Sequence, residues 1–189
     1  MRLGKFSIGT GDRFSHQGKA QLSAIMKANE TGLDISPVWN KSNREHIYVG
    51  SKPTDTRNEA DDAVKALGFK GQYFVDADHI NLSTVEPFVE VSDFFTLDVA
   101  SFIGKESSKE EIDAFIASCE KYIGELQIPG IAEPITVTKE LLEGIANKFL
   151  AATQQASEIY AYLKEKKGAG NFITEVSMDE VESPQPPIE

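Results

Sequence analysis

The chain has 189 residues, 40% of them apolar and 26% charged, enough to bury a sizeable core in one domain or two small ones without covalent staples. Cys119 is the single cysteine, which excludes a disulfide framework and a cysteine zinc cage; no run of about 18 apolar residues and no signal-peptide pattern occurs, so a reducing, cytoplasmic chain with no membrane association is expected. The net charge of −11 argues against nucleic acid as a partner, because a polyanion meets a repulsive average surface. Residues 1–50 differ from the rest: seven Lys/Arg against four Asp/Glu give +3, which leaves −14 for the remainder. That imbalance suits a small anionic ligand near the N-terminal motifs, with an ordinary solvated surface as the plainer alternative.

In chain order, Lys5–Gly9 alternates Phe6 and Ile8 with Ser7 and Gly9, a strand signal that runs into the turn GTGDRF. The segment GKAQLSAIMKANETG follows with Leu22, Ile25 and Met26 at helical spacing and Gly32 as its stop. Asp34–Trp39 reads as a second strand, NKSNREH as its loop, and Thr54–Leu67 as a second helix closed by Gly68. Gln72–Ala77 and Phe94–Val99 read as two more strands, with a short helix around Thr84–Val91 between them. Lys109–Leu126 is predicted as one helix with Ile112, Phe115, Ile116, Cys119 and Ile123 on its apolar face, and Thr138–Lys167 as a long helix with Thr138 at its N-cap. Asn171–Ser177 is a fifth strand, and residues 182–189 form an acidic, proline-rich tail or a truncation point after a β/α portion spanning 1–181. Strands that alternate with helices imply an α/β fold with a parallel sheet, either an open doubly wound sheet or part of a (β/α)8 barrel.

In such folds the ligand lies beyond the carboxyl ends of the strands. Four polar clusters fall there: GTGDRFSHQGK, NKSNREH, VDADHINL and TLDVA, which together contain all three histidines, His16, His46 and His79. Asp76, Asp78 and His79 could ligate a divalent metal or shuttle protons. Strand alternation sets Asp76 and Asp78 on one face and His79 on the other unless the strand ends near Ala77, and Asp78 could instead cap a following turn. Thr96 and Asp98 alternate against Phe95, Leu97 and Val99, as expected of two residues facing a polar interior. Glu175, Ser177 and Asp179 share a face of the fifth strand, with Glu180 beyond its tip; a glutamate aimed into a barrel must be paired, protonated or metal-bound. The GTG turn matches neither dinucleotide nor P-loop fingerprints, and no nucleophile elbow is present.

The stretches FSIGTGDRFSHQGKAQL, PVWNKSNREH, YFVDADHINL, FFTLDVA and GNFITEVSMDE resemble the tagaturonate epimerase family, sugar-acid enzymes that interconvert tagaturonate and fructuronate. The resemblance runs over nearly the whole chain. It implies the N-terminal portion of a longer, TIM-like (β/α)8 barrel and a hexuronate-catabolising isomerase acting on a ketouronate with a divalent metal ion. It further implies His79 as a metal ligand with Glu175 or Glu180 as a second. Asp98, together with Asp78, is implied as catalytic acid/base, and Arg13, Lys41, Arg44, His16 and His46 as candidates for binding the substrate, its carboxylate above all.

The two sugars differ at the carbon whose hydroxyl is β to the ketone. Its hydrogen is not acidic, so retro-aldol cleavage and re-addition is the expected route rather than simple proton abstraction. A hydride route has no dinucleotide fingerprint to support it. A metal-dependent aldolase on the same barrel, or an inactive fragment that binds an anionic sugar or a partner through open sheet edges, are the competing expectations.

Overall fold

The computed structural model describes residues 1–178 and 184–189. It divides into two compact units, one formed by Met1–Asp98 and Ile159–Ser177, the other by Val99–Glu158 and Met178–Glu189.

The first unit is built from β1 (Phe6–Gly11), α1 (Gly18–Asn29), β2 (Ile35–Ser42), α2 (Asn43–Val49), α3 (Pro53–Leu67), β3 (Phe74–Ile80) and β4 (Phe94–Asp98). The second carries α4 (Lys109–Cys119), β5 (Gly124–Leu126) and β6 (Ile135–Val137); α5 (Lys139–Lys167) crosses the boundary and leads to β7 (Ile173–Ser177), the last strand of the first unit. Strands β1, β2, β3, β4 and β7 form, in that spatial order, one entirely parallel sheet. It curls as half of a barrel does. The expectation of parallel β/α units therefore holds, but β1 and β7 are both sheet edges and no closed eight-stranded barrel is formed among the described residues.

The two faces of the sheet follow from strand alternation. Trp39 and Val75 point outward and pack with Leu22 of α1 and with Ala60 and Ala63 of α3. On the inner face Val38, Phe74 and Phe94 pack with Leu3 and Ile173 into an apolar floor. Two residues further along β2, β3, β4 and β7 the same face turns polar, with Asn40, Asp76, Thr96 and Glu175. Layering of inward side chains is how a parallel barrel fills its interior.

Several boundaries differ from the sequence reading, for local physical reasons. NKSNREH is not a loop: β2 runs on to Ser42, and α2 begins at the next residue. Ser42 accepts the Glu45 N–H at 3.2 Å while Glu45 reaches back to the Ser42 N–H at 3.3 Å, a reciprocal cap visible as Ser-x-x-Glu in the sequence. β3 continues past Ala77 to Ile80, and the stretch around Thr84–Val91 holds only a single 3-10 turn, Glu86–Phe88.

In the second unit the helix expected over Lys109–Leu126 stops at Cys119. Gly124, at φ +117°, instead starts a strand that pairs antiparallel with β6. Ile116, Val137 and Leu142 form that unit's core, with Phe115, Cys119, Leu126, Ile135 and Ile188 packed against it. Thr138 caps α5 as expected, its hydroxyl accepting the Leu141 N–H at 3.1 Å. In the tail, Glu189 pairs with Lys148 at 2.6 Å; residues 179–183 lie outside the described residues.

Candidate active site

The polar layer of the inner face borders a cavity of about 320 Å³, lined by Ser7 and Gly9 of β1, Val38 and Asn40 of β2, Asp76 and Asp78 of β3, Phe94 and Thr96 of β4, and Glu175 of β7. Every strand contributes because the five parallel strands present the same parity at the same level: Asn40 is in register with Asp76, Ser42 with Asp78, Thr96 with Glu175 and Asp98 with Ser177. Among the described residues three carboxylates share this space, and no Lys, Arg or His lines it.

Asp76 is the innermost of the three, only 6% exposed. Its Oδ2 accepts the Thr96 hydroxyl at 2.9 Å and its Oδ1 the Thr96 N–H at 3.2 Å. Burial pushes its carboxyl up to about 7, with the charges of Asp78 and Glu175 adding to the rise and the Thr96 hydrogen bonds opposing it. A carboxyl so placed can hold or release a proton near neutrality.

At the rim, the pairing of β3 with β4 shifts between Ala77 and Ile80, and His79 takes φ +51°. A left-handed backbone at a residue other than glycine stores strain and marks a position held by its surroundings. The shift removes the alternation that would have separated His79 from Asp78. Its Nδ1 lies 2.8 Å from Asp78 Oδ1 and its Nε2 3.4 Å from the Ser177 hydroxyl. Asp78, His79 and Ser177 thus meet at the tips of β3 and β7, and Asp98 stands at the tip of β4.

The remaining candidates lie elsewhere at this end of the sheet. Arg13, in the loop after β1, is 54% exposed at its side chain, and its Nε donates to Glu45 at 3.2 Å. That loop is organised by Asp12, whose carboxylate accepts the N–H groups of Phe14, His16 and Gln17. Burial acts against its charge, but these three donors outweigh it and hold the Asp12 carboxyl below the usual range. His16 and Arg44 are exposed.

Lys41 is 2% exposed and faces outward on β2, opposite in parity to Asn40. Its ammonium donates to the Arg13 carbonyl at 2.6 Å and to Ser51 Oγ at 2.9 Å. His46 is buried beside it, with Nδ1 2.9 Å from the same hydroxyl and its ring against Phe88. Burial lowers its imidazole to about 4, and the Lys41 charge adds to that effect, so the ring is neutral. The structure therefore gathers Asp78, His79 and Glu175 with Asp76 around the inner face and rim, and sets Lys41 and His46 on the outer face.

Among the described residues no three His, Cys, Asp or Glu side chains are placed to hold a metal ion, and Glu180 lies outside them. The donors present do not by themselves make a metal centre. Asn40 is the site residue that sequence reasoning missed; the strand parity of Val38 and Asn40 in PVWNKS was the available signal.

The sequence matches the tagaturonate epimerase family over residues 1–189. The chain belongs to that family. Among curated proteins none matches the sequence. Among solved structures, the two-glycerol complex of fructuronate-tagaturonate epimerase from Cohnella laeviribosi superposes with a TM-score of 0.74 at 22% identity, over 97% of this chain and 40% of that one. The one-glycerol complex of the same enzyme gives 0.73 at 22% identity, over 95% and 38%. Its native form gives 0.68 at 20%, again over 95% and 38%. The likeness establishes a shared fold, and the chain spans about two fifths of the length of these enzymes. No helix among the described residues is long and apolar enough to cross a membrane.

Proposed function

We propose that this chain supplies the N-terminal half-barrel of a sugar-acid epimerase that interconverts tagaturonate and fructuronate. The observation that carries the reading is the carboxylate-lined cavity on the inner face of a parallel sheet, in a chain that matches the tagaturonate epimerase family along its full length. Polyhydroxylated substrates suit such a cavity, because each hydroxyl can donate to a carboxylate. The substrate's own carboxylate is repelled from it and is met instead by Arg13 and Arg44, with His16 nearby in sequence on the same loop. Lys41 and His46 support the loop after β1 and the end of α2 from the outer face.

The chemistry follows from the substrates. The inverted carbon carries a hydrogen β to the ketone, so its configuration changes by breaking and remaking a carbon–carbon bond. A carboxylate takes the proton of the β-hydroxyl, the bond to the neighbouring carbon breaks, and an aldehyde and an enediolate result. The aldehyde turns its other face, the bond re-forms, and the proton returns to the new alkoxide. Asp98 is the proposed acid/base and Asp78 its companion at the rim, the latter held against His79.

A divalent metal ion, with His79 and either Glu175 or Glu180 among its ligands and the rest supplied from outside the described residues, would polarise the ketone. In the test, tagaturonate is followed by NMR in deuterated buffer with Asp98→Asn and His79→Ala beside the parent protein, and metal content is measured for each. Fructuronate should form with the hydrogen retained at the inverted carbon, Asp98→Asn should lose turnover by about 10²-fold or more, and His79→Ala should lose metal. Accumulating three-carbon products would mark an aldolase instead; near-normal turnover in Asp98→Asn or full metal loading in His79→Ala would remove those two roles.

A further inference from the structure

Asn40 is the one amide among the cavity's polar lining residues, and it is oriented at an evident local expense. Its Oδ1 is buried and accepts no hydrogen bond among the described residues. A carbonyl oxygen stranded in this way destabilises a fold, and a simple rotation of the amide would bring it out. The glycines of β1 show which way the group points. A methyl group built at Gly11 would come within 3.3 Å of Oδ1, whereas one built at Gly9, which borders the cavity, would lie 3.8 Å from Nδ2. Nδ2 is therefore turned toward Gly9, which borders the cavity, and Oδ1 toward Gly11, which is not among the lining residues.

The acidic surroundings explain the choice. Turned the other way, Oδ1 would face a space shared by Asp76, Asp78 and Glu175, where a partial negative charge is repelled. The N–H donors are attracted to the same space.

We infer that Asn40 is a specificity-determining residue that donates through Nδ2 to a hydroxyl oxygen of the bound sugar acid, an inference that rests on the functional reading above. An ionised carboxylate only accepts, so a substrate hydroxyl that gives its hydrogen to one still has lone pairs to satisfy. Asn40 supplies a neutral donor for them without neutralising the acid groups, as Lys or Arg there would. Gly9 and Gly11 keep the space on either side of the amide open.

The test compares Asn40→Leu and Asn40→Asp with the parent chain, titrating each calorimetrically with an equilibrated tagaturonate–fructuronate mixture and measuring Tm. Asn40→Leu removes the stranded oxygen together with the donor, so Tm should stay level or rise while Kd weakens about 3- to 10-fold. Asn40→Asp keeps the shape, replaces the donor by a further acceptor, and should weaken Kd by about tenfold or more. A purely structural residue would give the opposite pattern, with lower Tm and unchanged Kd, and that result in either variant overturns the inference. Parent protein that binds the mixture without interconverting it would overturn the functional reading while leaving Asn40 to be decided by the Kd values; parent protein that does not bind it at all would overturn both.

Discussion

The two faces of one strand, β2, solve the problem of buried polarity in different ways. On the outer face the Lys41 ammonium is enclosed almost completely, yet two oxygens, the Arg13 carbonyl and Ser51 Oγ, accept from it. On the inner face, at the neighbouring residue of opposite parity, the Asn40 oxygen has no hydrogen-bond partner among the described residues, in a cavity lined by Asp76, Asp78 and Glu175. A buried charge with good partners is a device of architecture, here fastening the loops after β1 and α2. Unbalanced like charges in a cavity oppose folding and persist where a ligand supplies the missing partners. The comparison sets the clustered carboxylates on the inner face and the well-partnered supporting charge on the outer one.

The largest effect that would break this contrast concerns Asp76. Its folded-state carboxyl is raised to about 7 from an ordinary 3.8, so between those values the folded chain binds the extra proton and stability falls as pH rises. Asp76→Asn should abolish that fall, a difference reaching on the order of 4 kcal/mol above pH 7. Denaturant unfolding at a series of pH values reads it directly; the same pH slope in parent and variant would show that the inner face carries no such strain.

On the outer face the sign reverses. His46 sits near 4, below its ordinary 6.5, so in that interval the unfolded chain binds the extra proton and stability falls as pH drops. His46→Gln should remove that acid-side loss, on the order of 3 kcal/mol by pH 4. In the parent chain the two slopes oppose one another, and between about pH 4 and 6.5 they nearly cancel. Each single variant should therefore unmask the other group's slope, and the double variant should lose both. A double variant that retains a steep slope would point to other groups.

Lys41→Met tests the support role itself. Methionine fills much of the same volume but leaves the Arg13 carbonyl and Ser51 without their donor, which should lower stability by about 1–3 kcal/mol. Equilibrium unfolding would reveal an unchanged midpoint if the ammonium were not fastening those loops. The smallest effect is expected for Ser42→Ala at the cap of α2, about 1 kcal/mol. Restoring most of that loss with Ser42→Asp, another good capping residue, would tie it to the cap rather than to the end of β2.

Much of this arrangement was legible before any coordinates. Alternation in QYFVDA, FFTLDV and NFITEVS set which residues of β3, β4 and β7 share a face, because a strand repeats every two residues whatever surrounds it. Thr96 and Asp98 were assigned to a polar interior on that ground; Thr96 lines the cavity, as does Glu175, whereas Asp98 stands at the tip of β4 and is not among the lining residues. Spacing of apolar residues likewise marked α1 and α5, and the end of α3 at Gly68 followed from the left-handed conformation it adopts.

What only the tertiary structure decided depends on neighbours distant in sequence. Lys41 was expected beside the substrate and lies outward, because β2 continues beyond Trp39 and its parity carries Lys41 to the side covered by polar partners at Arg13 and Ser51. His79 and Asp78 come together because pairing with β4 shifts within β3, and a shift of register is a property of two strands rather than of one. The rise of the Asp76 carboxyl comes first from its burial in the assembled sheet and is increased by the charges of Asp78 and Glu175, the latter 99 positions further along the chain. Local sequence thus determined the periodicities and the turns, whose energetics involve a few adjacent residues. The sheet determined which charges meet, since that energy exists only after strands far apart in sequence have been brought to within about 5 Å of one another.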